Sequence, residues 1–302
     1  MEKVIIIGAG PAGISAALYA VRGNLDPLVI NNGIGALEKA EKIENYYGLE
    51  HPLSGQELYD TGIAQAKALG VRILDAQVLG VGGFDTFVVK TTEGEFETQS
   101  LILATGSKRA TPKIPGVKEF EGKGVSYCAI CDAFFYRGKD VAVLGNGDFA
   151  MHEAKELSNT ASTVTIYTNG EEPEFTLEGN ISVNTMKIQS VEGDDLVSGI
   201  RLAPDVQAQE INAEAGQQAN DFCPAEGVFI AMGTAGSTEI ARQMGAELTE
   251  KGNIKVNENM ETTIPGLYAA GDCTGGLLQV AKAVYEGAQA GINAGKYVRS
   301  LK

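Results

Sequence analysis

Lys3-Val4-Ile5-Ile6-Ile7-Gly8-Ala9-Gly10-Pro11-Ala12-Gly13-Ile14-Ser15-Ala16-Ala17-Leu18-Tyr19-Ala20-Val21 is the stretch that decides how this chain folds. An apolar run of strand length meets glycine at once, and a helix of small residues follows. GxGxxG between a strand and a helix is the dinucleotide-type fingerprint in its required context. Gly8 allows the tight turn, and Gly10 lets a pyrophosphate approach the backbone at the helix N-terminus. Gly13 lets the helix lie close on the sheet. With Pro11 and Ala12 between them, these glycines form the first candidate cofactor-binding set. The next strand, Pro27 to Ile30, ends at Asn31, where the fingerprint expects an acidic residue for the ribose hydroxyls. Asn31 can bond a ribose but brings no charge.

Working outward, residues 34–72 read as helical, with a break around Tyr46 to Leu49 and His51-Pro52. Ser54-Gly-Gln-Glu57 has the pattern of a capping box that opens a helix to Leu69. Short strands are expected at Val71–Leu74, Phe87–Thr92 and Glu95–Thr98. Leu101 to Gly106 reads as a buried strand ending in the turn Ala104-Thr105-Gly106. Pro112-Lys-Ile-Pro-Gly116 reads as a linker. A second βαβ unit follows: strand Lys139–Leu144, then Gly145-Asn-Gly147-Asp-Phe-Ala150, helix to Ser158, and strand Thr163–Tyr167. It repeats the first about 137 residues on, Gly8 to Gly145. Gly227 to Gly233 closes that unit, and the chain returns to the first near Ser237. Thr262 to Asp272 reads as a strand ending in Gly271-Asp272. Val280 to Val298 reads as a final helix, rich in alanine and glycine as close packing requires.

Between the two fingerprints lies Tyr127-Cys128-Ala129-Ile130-Cys131-Asp132-Ala133-Phe134-Phe135. Two thiols two residues apart can close a small disulfide with little backbone movement, which dithiol–disulfide exchange needs. A helix starting at the first cysteine would lower its pKa. The alternative, half of a zinc site, wants a second CxxC or a His pair, and the sequence has neither, so no metal is expected. The four cysteines at 128, 131, 223 and 273 are too few for a disulfide scaffold, and a reducing, cytoplasmic location fits. Cys223 and Cys273 read as small buried hydrophobes. The 302 residues suffice for two domains, and no run approaches a membrane span or a signal peptide. A net charge of −15 argues against nucleic-acid binding. The charge is uneven: residues 107–139 carry 7 basic and 3 acidic side chains, and residues 140–260 carry 6 and 20.

Gly8–Gly13, Ala104-Thr105-Gly106, Tyr127–Asp132, Gly145–Asp148 and Ala270-Gly271-Asp272 together resemble the low-molecular-weight thioredoxin reductase family over nearly the whole chain. The resemblance implies an α/β fold of two interleaved Rossmann-like, FAD/NAD(P)-binding-type three-layer domains. Residues 1–111 and 237–302 would form the FAD-binding domain, and residues 112–236 the inserted domain that carries the dithiol. It implies FAD held by Gly8, Gly10, Pro11, Ala12, Gly13, Asn31, Ala104, Thr105, Gly106, Gly271, Asp272, Gln279 and Val280. It implies that Cys131 lies against the flavin, that Cys128 attacks the disulfide of thioredoxin, and that Asp132 is the general acid or base. A homodimer is implied as well.

The inserted domain departs from the family. Where relatives carry a His-Arg-Arg type stretch for the extra phosphate of NADPH, this chain has Tyr167-Thr-Asn-Gly-Glu171-Glu-Pro-Glu174. Glutamates repel a phosphate, and no ribose-binding acid for NADH stands near Thr168-Asn169. Phe149 replaces a small residue beside the phosphate turn, and His152 an acidic one. The resemblance therefore narrows to ferredoxin-dependent flavin thioredoxin reductases. Ferredoxin, an acidic one-electron donor, would be received by Lys108, Arg109, Lys113, Lys118, Lys123, Arg137 and Lys139. Two alternatives stay open: a disulfide reductase served by NAD(P)H or a second flavin, and a small-molecule dithiol oxidase that uses oxygen.

Overall fold

The computed structural model describes residues 1–83, 85–106, 112–127, 129–204, 221–232 and 236–301, with Ile130 and Cys131 by backbone alone. Cys128, Lys108 and Arg109 lie outside the described residues. The chain divides into two compact units, Met1–Arg109 with Ala235–Lys302, and Ala110–Thr234.

The first unit opens with β1 (Glu2–Ile7), whose Val4 to Ile7 are fully or almost fully buried. A run this apolar belongs in a sheet covered on both faces. Helix α1 (Pro11–Arg22) follows, then β2 (Pro27–Asn31), parallel to β1. Residues 34–54 depart from the expected helix: a 3-10 turn covers Gly35–Lys39, and irregular chain runs on to Ser54. Gly33, Gly35 and Gly48, at φ of +85°, +65° and +95°, turn the chain at the start of this stretch and again within it, where one uninterrupted right-handed helix could not. The capping box does form: Ser54 Oγ accepts Glu57 N–H, and a Glu57 carboxylate oxygen accepts Ser54 N–H at 2.7 Å, opening α2 (Gly55–Ala68). Strands β3 (Arg72–Asp75), β4 (Val78–Gly82), β5 (Phe87–Thr91) and β6 (Gly94–Leu103) complete this part. β6 is one ten-residue strand where two shorter pieces are expected. Its first half pairs antiparallel with β5 and its second half parallel with β1.

The second unit contains β7 (Val125–Ser126), the short helix α3 (Ala129–Asp132), β8 (Asp140–Leu144), α4 (Asp148–Ser158), β9 (Thr163–Tyr167) and β10 (Ser182–Asn184). β11 (Ile188–Gly193), β12 (Val197–Leu202) and β13 (Phe222–Pro224) form an antiparallel sheet of their own. β14 (Gly227–Ile230) returns to the parallel sheet, whose order is β10-β9-β8-β14-β7.

The chain then re-enters the first unit with α5 (Ser237–Gln243), β15 (Leu267–Ala269) and α6 (Val280–Ser300). β15 is shorter than the strand expected over 262–272 and pairs parallel with β6. The first unit's seven strands run β3-β2-β1-β6-β5-β4, with β15 on the other side of β6. α6 packs on α1 with the backbones nearly touching. A Cβ on Gly287 would sit 2.1 Å from the Ala12 carbonyl oxygen, and one on Gly291 2.2 Å from that of Ala16. Both units are α/β folds of the doubly wound, Rossmann-like kind.

Candidate active site

The carboxyl ends of β1, β6 and β15 bring three expected loops to one edge of the first sheet. Ala104 N–H donates to the Ile7 carbonyl at 2.8 Å, and Ala270 N–H to that of Leu103 at 2.9 Å. The Gly8 turn, Ala104-Thr105-Gly106 and Gly271-Asp272 therefore stand side by side, where ligands of open α/β sheets bind. Thr105 is tied down: its Oγ1 lies 2.7 Å from Ser237 Oγ and accepts Ser237 N–H at 2.9 Å.

The glycines have separate jobs. A Cβ on Gly8 would lie 2.4 Å from the Ala104 carbonyl oxygen, and one on Gly13 1.8 Å from that of Gly8. These two close the turn inward. A Cβ on Gly10 would meet nothing within 4 Å, so the turn is open outward at that residue. α1 has no side-chain cap and no acidic residue in its first turn. Its leading N–H groups are thus left for an anion. A pyrophosphate fits this site: Gly10, Pro11, Ala12 and Gly13 would hold it.

Gly271, at φ +88°, turns the chain into Asp272. Asp272 is half-buried, and burial pushes its carboxyl above the ordinary aspartate value despite the opposing charge of Lys282. A network absent from the sequence reading fixes this turn. Glu286, almost fully buried on α6, accepts Gly271 N–H at 2.8 Å and Thr274 Oγ1–H at 2.9 Å. Lys282 pairs with Glu286 at 3.0 Å and donates to the carbonyls of Gly271 and Gly275. The signal was an i,i+4 Lys–Glu pair on a helix otherwise made of small residues. Gln279 stands exposed at the start of α6, next to Val280, and accepts from Asn45 Nδ2 at 3.0 Å. Asn45 is a second residue the sequence reading missed. Asn31 sits at the end of β2 with its amide engaged by Tyr59 and Asp75.

In the second unit, α3 begins at Ala129 and contains Cys131 and Asp132. Ser126 Oγ donates to Asp132 Oδ2 at 2.6 Å. Behind the helix, Glu153 of α4 is buried, and its Oε2 accepts Ala129 N–H at 2.7 Å. Phe134 and Phe135, just after the helix, are 70% and 69% exposed, their rings edge to face at 6.3 Å. Tyr136 anchors them: its ring packs edge to face on Phe229 at 5.1 Å. Arg137 covers Phe134 with its guanidinium 5.3 Å from the ring. No group of metal-ligating side chains occurs among the described residues.

The second glycine turn differs from the first. Gly147 is open, as Gly10 is, but α4 carries Asp148 in its first turn. Phe149, the second residue of α4, is 1% exposed, its side chain enclosed by protein. Backbone reaches the turn: Glu174 N–H donates to the Asn146 carbonyl at 2.7 Å. The loop between β9 and β10 contains no helix, and Lys155 of α4 ties it down through Glu178 at 2.6 Å. Glu171, Glu172 and Glu174 are exposed on it.

Of the other cysteines, Cys273 is buried and donates to the Ala270 carbonyl at 3.3 Å; burial pushes its thiol up to about 12. Cys223 is half-buried, so the expectation of a buried hydrophobe holds fully for Cys273 alone.

Residues 2–287 match the family model "Pyridine nucleotide-disulphide oxidoreductase". The chain is 36% identical to the thioredoxin reductase of Treponema pallidum, over 99% of this chain and 98% of that protein. Among solved structures it is similar to the atypical thioredoxin reductase TRi of Desulfovibrio vulgaris Hildenborough, at 38% identity and a TM-score of 0.88, covering 99% of both chains. It is also similar to a ferredoxin-flavin thioredoxin reductase of Clostridium acetobutylicum, at 30% identity and a TM-score of 0.70, covering 99% of this chain and 98% of that one. FAD is the cofactor of this chain. The chain belongs to the pyridine nucleotide-disulphide oxidoreductase family, as a flavin disulfide oxidoreductase of the thioredoxin reductase type.

Proposed function

We propose that this protein reduces the disulfide of thioredoxin through Cys128 and Cys131, with electrons from reduced ferredoxin rather than from a nicotinamide. When bound in the unit formed by the two ends of the chain, FAD would supply the two electrons that reduce the Cys128–Cys131 disulfide. With two protons these give the dithiol. Cys128, as thiolate, attacks one sulfur of the substrate disulfide and forms a mixed disulfide. Cys131 attacks Cys128, the disulfide reforms, and the substrate leaves as a dithiol. Asp132, adjacent to Cys131 and held by Ser126, carries the proton between thiol and leaving sulfur. The exposed Phe134–Phe135 pair beside the dithiol helix offers an apolar platform for the protein substrate.

The observation that carries the choice of donor is the chain path after β9. A dinucleotide needs the glycine turn and the end of the second strand free, with an acid or an arginine there for the ribose. Here Glu174 N–H bonds back onto the Asn146 carbonyl of that turn, Thr168 and Asn169 stand at the strand end where the acid would be, and the loop beyond presents four glutamates and no arginine. The exposed Lys113, Lys118, Lys123 and Arg137 give an acidic donor a basic surface. For a homodimer, support comes from exposed apolar side chains, Leu278 just before α6 and Tyr285 and Ile292 seven apart on it.

Anaerobic stopped-flow absorbance of the flavin tests the donor. Reduced ferredoxin should bleach it, and NADPH and NADH should not. Rapid bleaching by either nicotinamide overturns the proposal.

A further inference from the structure

We infer that Asp75, at the end of β3, is the carboxylate that receives the adenosine ribose of the flavin cofactor, in place of the acid that the fingerprint puts at the end of β2. The inference rests on FAD occupying the first unit. Asn31 and Asp75 are the last residues of β2 and β3 and face each other in register. Ala76 N–H donates to the Asn31 carbonyl at 2.9 Å, which locks that register one step further. Asn31 is committed to protein partners at both ends of its amide. Its Oδ1 accepts the Tyr59 hydroxyl at 2.8 Å, and its Nδ2 donates to Asp75 Oδ1 at 2.6 Å. A ribose hydroxyl needs an acceptor at this strand edge, and the charged one is a strand away from its usual position.

Asp75 suits the role on three further counts. It is exposed, so its second oxygen remains accessible. No lysine or arginine among the described residues forms an ion pair with it. It also lies on the same edge of the sheet as the open Gly10 turn, because β1, β2 and β3 are parallel neighbours. A carboxylate here accepts from a free ribose hydroxyl and repels a phosphorylated one. The site therefore selects an unmodified adenosine ribose. Asn31 is the positioning residue: in the chain of hydroxyl to amide to carboxylate, its amide is the group that bonds Asp75 and fixes which way the carboxylate points.

Equilibrium dialysis of the full chain against FAD tests this, with wild type, Asp75→Ala, Asp75→Asn and Tyr59→Phe. Losing a charge-assisted hydrogen bond should raise Kd about tenfold in both Asp75 variants. Tyr59→Phe removes only the far end of the chain and should change Kd by less than about twofold. Two results overturn the inference: both Asp75 variants holding FAD as tightly as wild type, or Tyr59→Phe weakening FAD as much as Asp75→Ala. A wild-type protein that takes up no FAD would instead refute the placement of the cofactor in the first unit.

Discussion

Gly10→Ala and Gly147→Ala make the same small change at two turns of the same geometry, and they should have opposite consequences. Gly10 has φ −72° and ψ −175°, and Gly147 has φ −110° and ψ −177°, both open to any L-residue. A methyl at either would meet nothing within 4 Å. Each glycine is a helix N-cap, where alanine is a poorer choice by up to about 1 kcal/mol. Folding should therefore survive in both variants. Gly13→Ala is the contrasting control. Its methyl would sit 1.8 Å from a backbone carbonyl oxygen, an overlap that costs more than about 3 kcal/mol unless the turn opens. At Gly10 the methyl stands where the pyrophosphate must approach. Losing one hydrogen bond to a charged group costs about 1.5–3 kcal/mol, which is roughly a 10- to 150-fold rise in the Kd for FAD. On the proposed donor Gly147 receives no dinucleotide, so FAD affinity and the rate of flavin reduction by ferredoxin should stay within about twofold of wild type. Thermal melting, equilibrium dialysis against FAD and anaerobic stopped-flow read the three quantities. A Gly10→Ala protein that keeps wild-type FAD affinity refutes the reading of the first turn. A Gly147→Ala protein whose flavin is reduced several-fold more slowly refutes the claim that the second turn is unused.

Two further outcomes follow from buried carboxyl groups. Burial raises the Asp272 carboxyl, so the folded form holds its proton more tightly than the unfolded chain does. The stability this contributes is present below the ordinary aspartate value and is lost as pH rises through the raised one. Urea unfolding of the FAD-stripped protein should accordingly show Asp272→Asn at an advantage at pH 7 that shrinks as pH falls through the raised value and has levelled off by about pH 4; an advantage that grows instead contradicts the assignment. Glu153→Ala leaves the Ala129 N–H without its acceptor and should cost about 1–3 kcal/mol, whereas Glu153→Gln keeps an acceptor oxygen and should recover most of it. Equal losses in the two variants would show that this bond is not what Glu153 contributes.

What the sequence made legible was local. The β1–Gly8–α1 unit, the Ser54–Glu57 box and the alanine–glycine face of α6 each depend on residues close in the chain or on side-chain size. Thr98 to Ser100 misled because polar residues between two apolar runs read as a break. Both are fully buried inside β6, with Thr98 Oγ1 donating to the Ser100 carbonyl and Ser100 Oγ to that of Gly266. Those partners lie too near or too far along the chain to enter a periodicity. Glu153, Asp75 and the Lys282–Glu286 pair stayed hidden because a charged residue in a sequence reads as surface until its partner is known.

The same distinction bears on the electron donor. The sequence showed glutamates where arginines were expected, which is an argument about charge alone, and charge can be screened. The fold adds an argument about space. Parallel neighbours such as β9 and β10 are ordinarily joined through a helix. Here Gly170, Pro173 and Gly179 punctuate a connection that forms none. Without the helix, the chain crosses by bonding its own backbone to Asn146 at the glycine turn. Replacing Glu171, Glu172 and Glu174 by arginine would thus reverse the charge but leave Glu174's N–H where it is, since that bond is made by backbone. Binding of a nicotinamide dinucleotide demands a different path for residues 168–181 as well as a different charge. For that reason the donor reading rests on the connection between β9 and β10 and not on its glutamates alone.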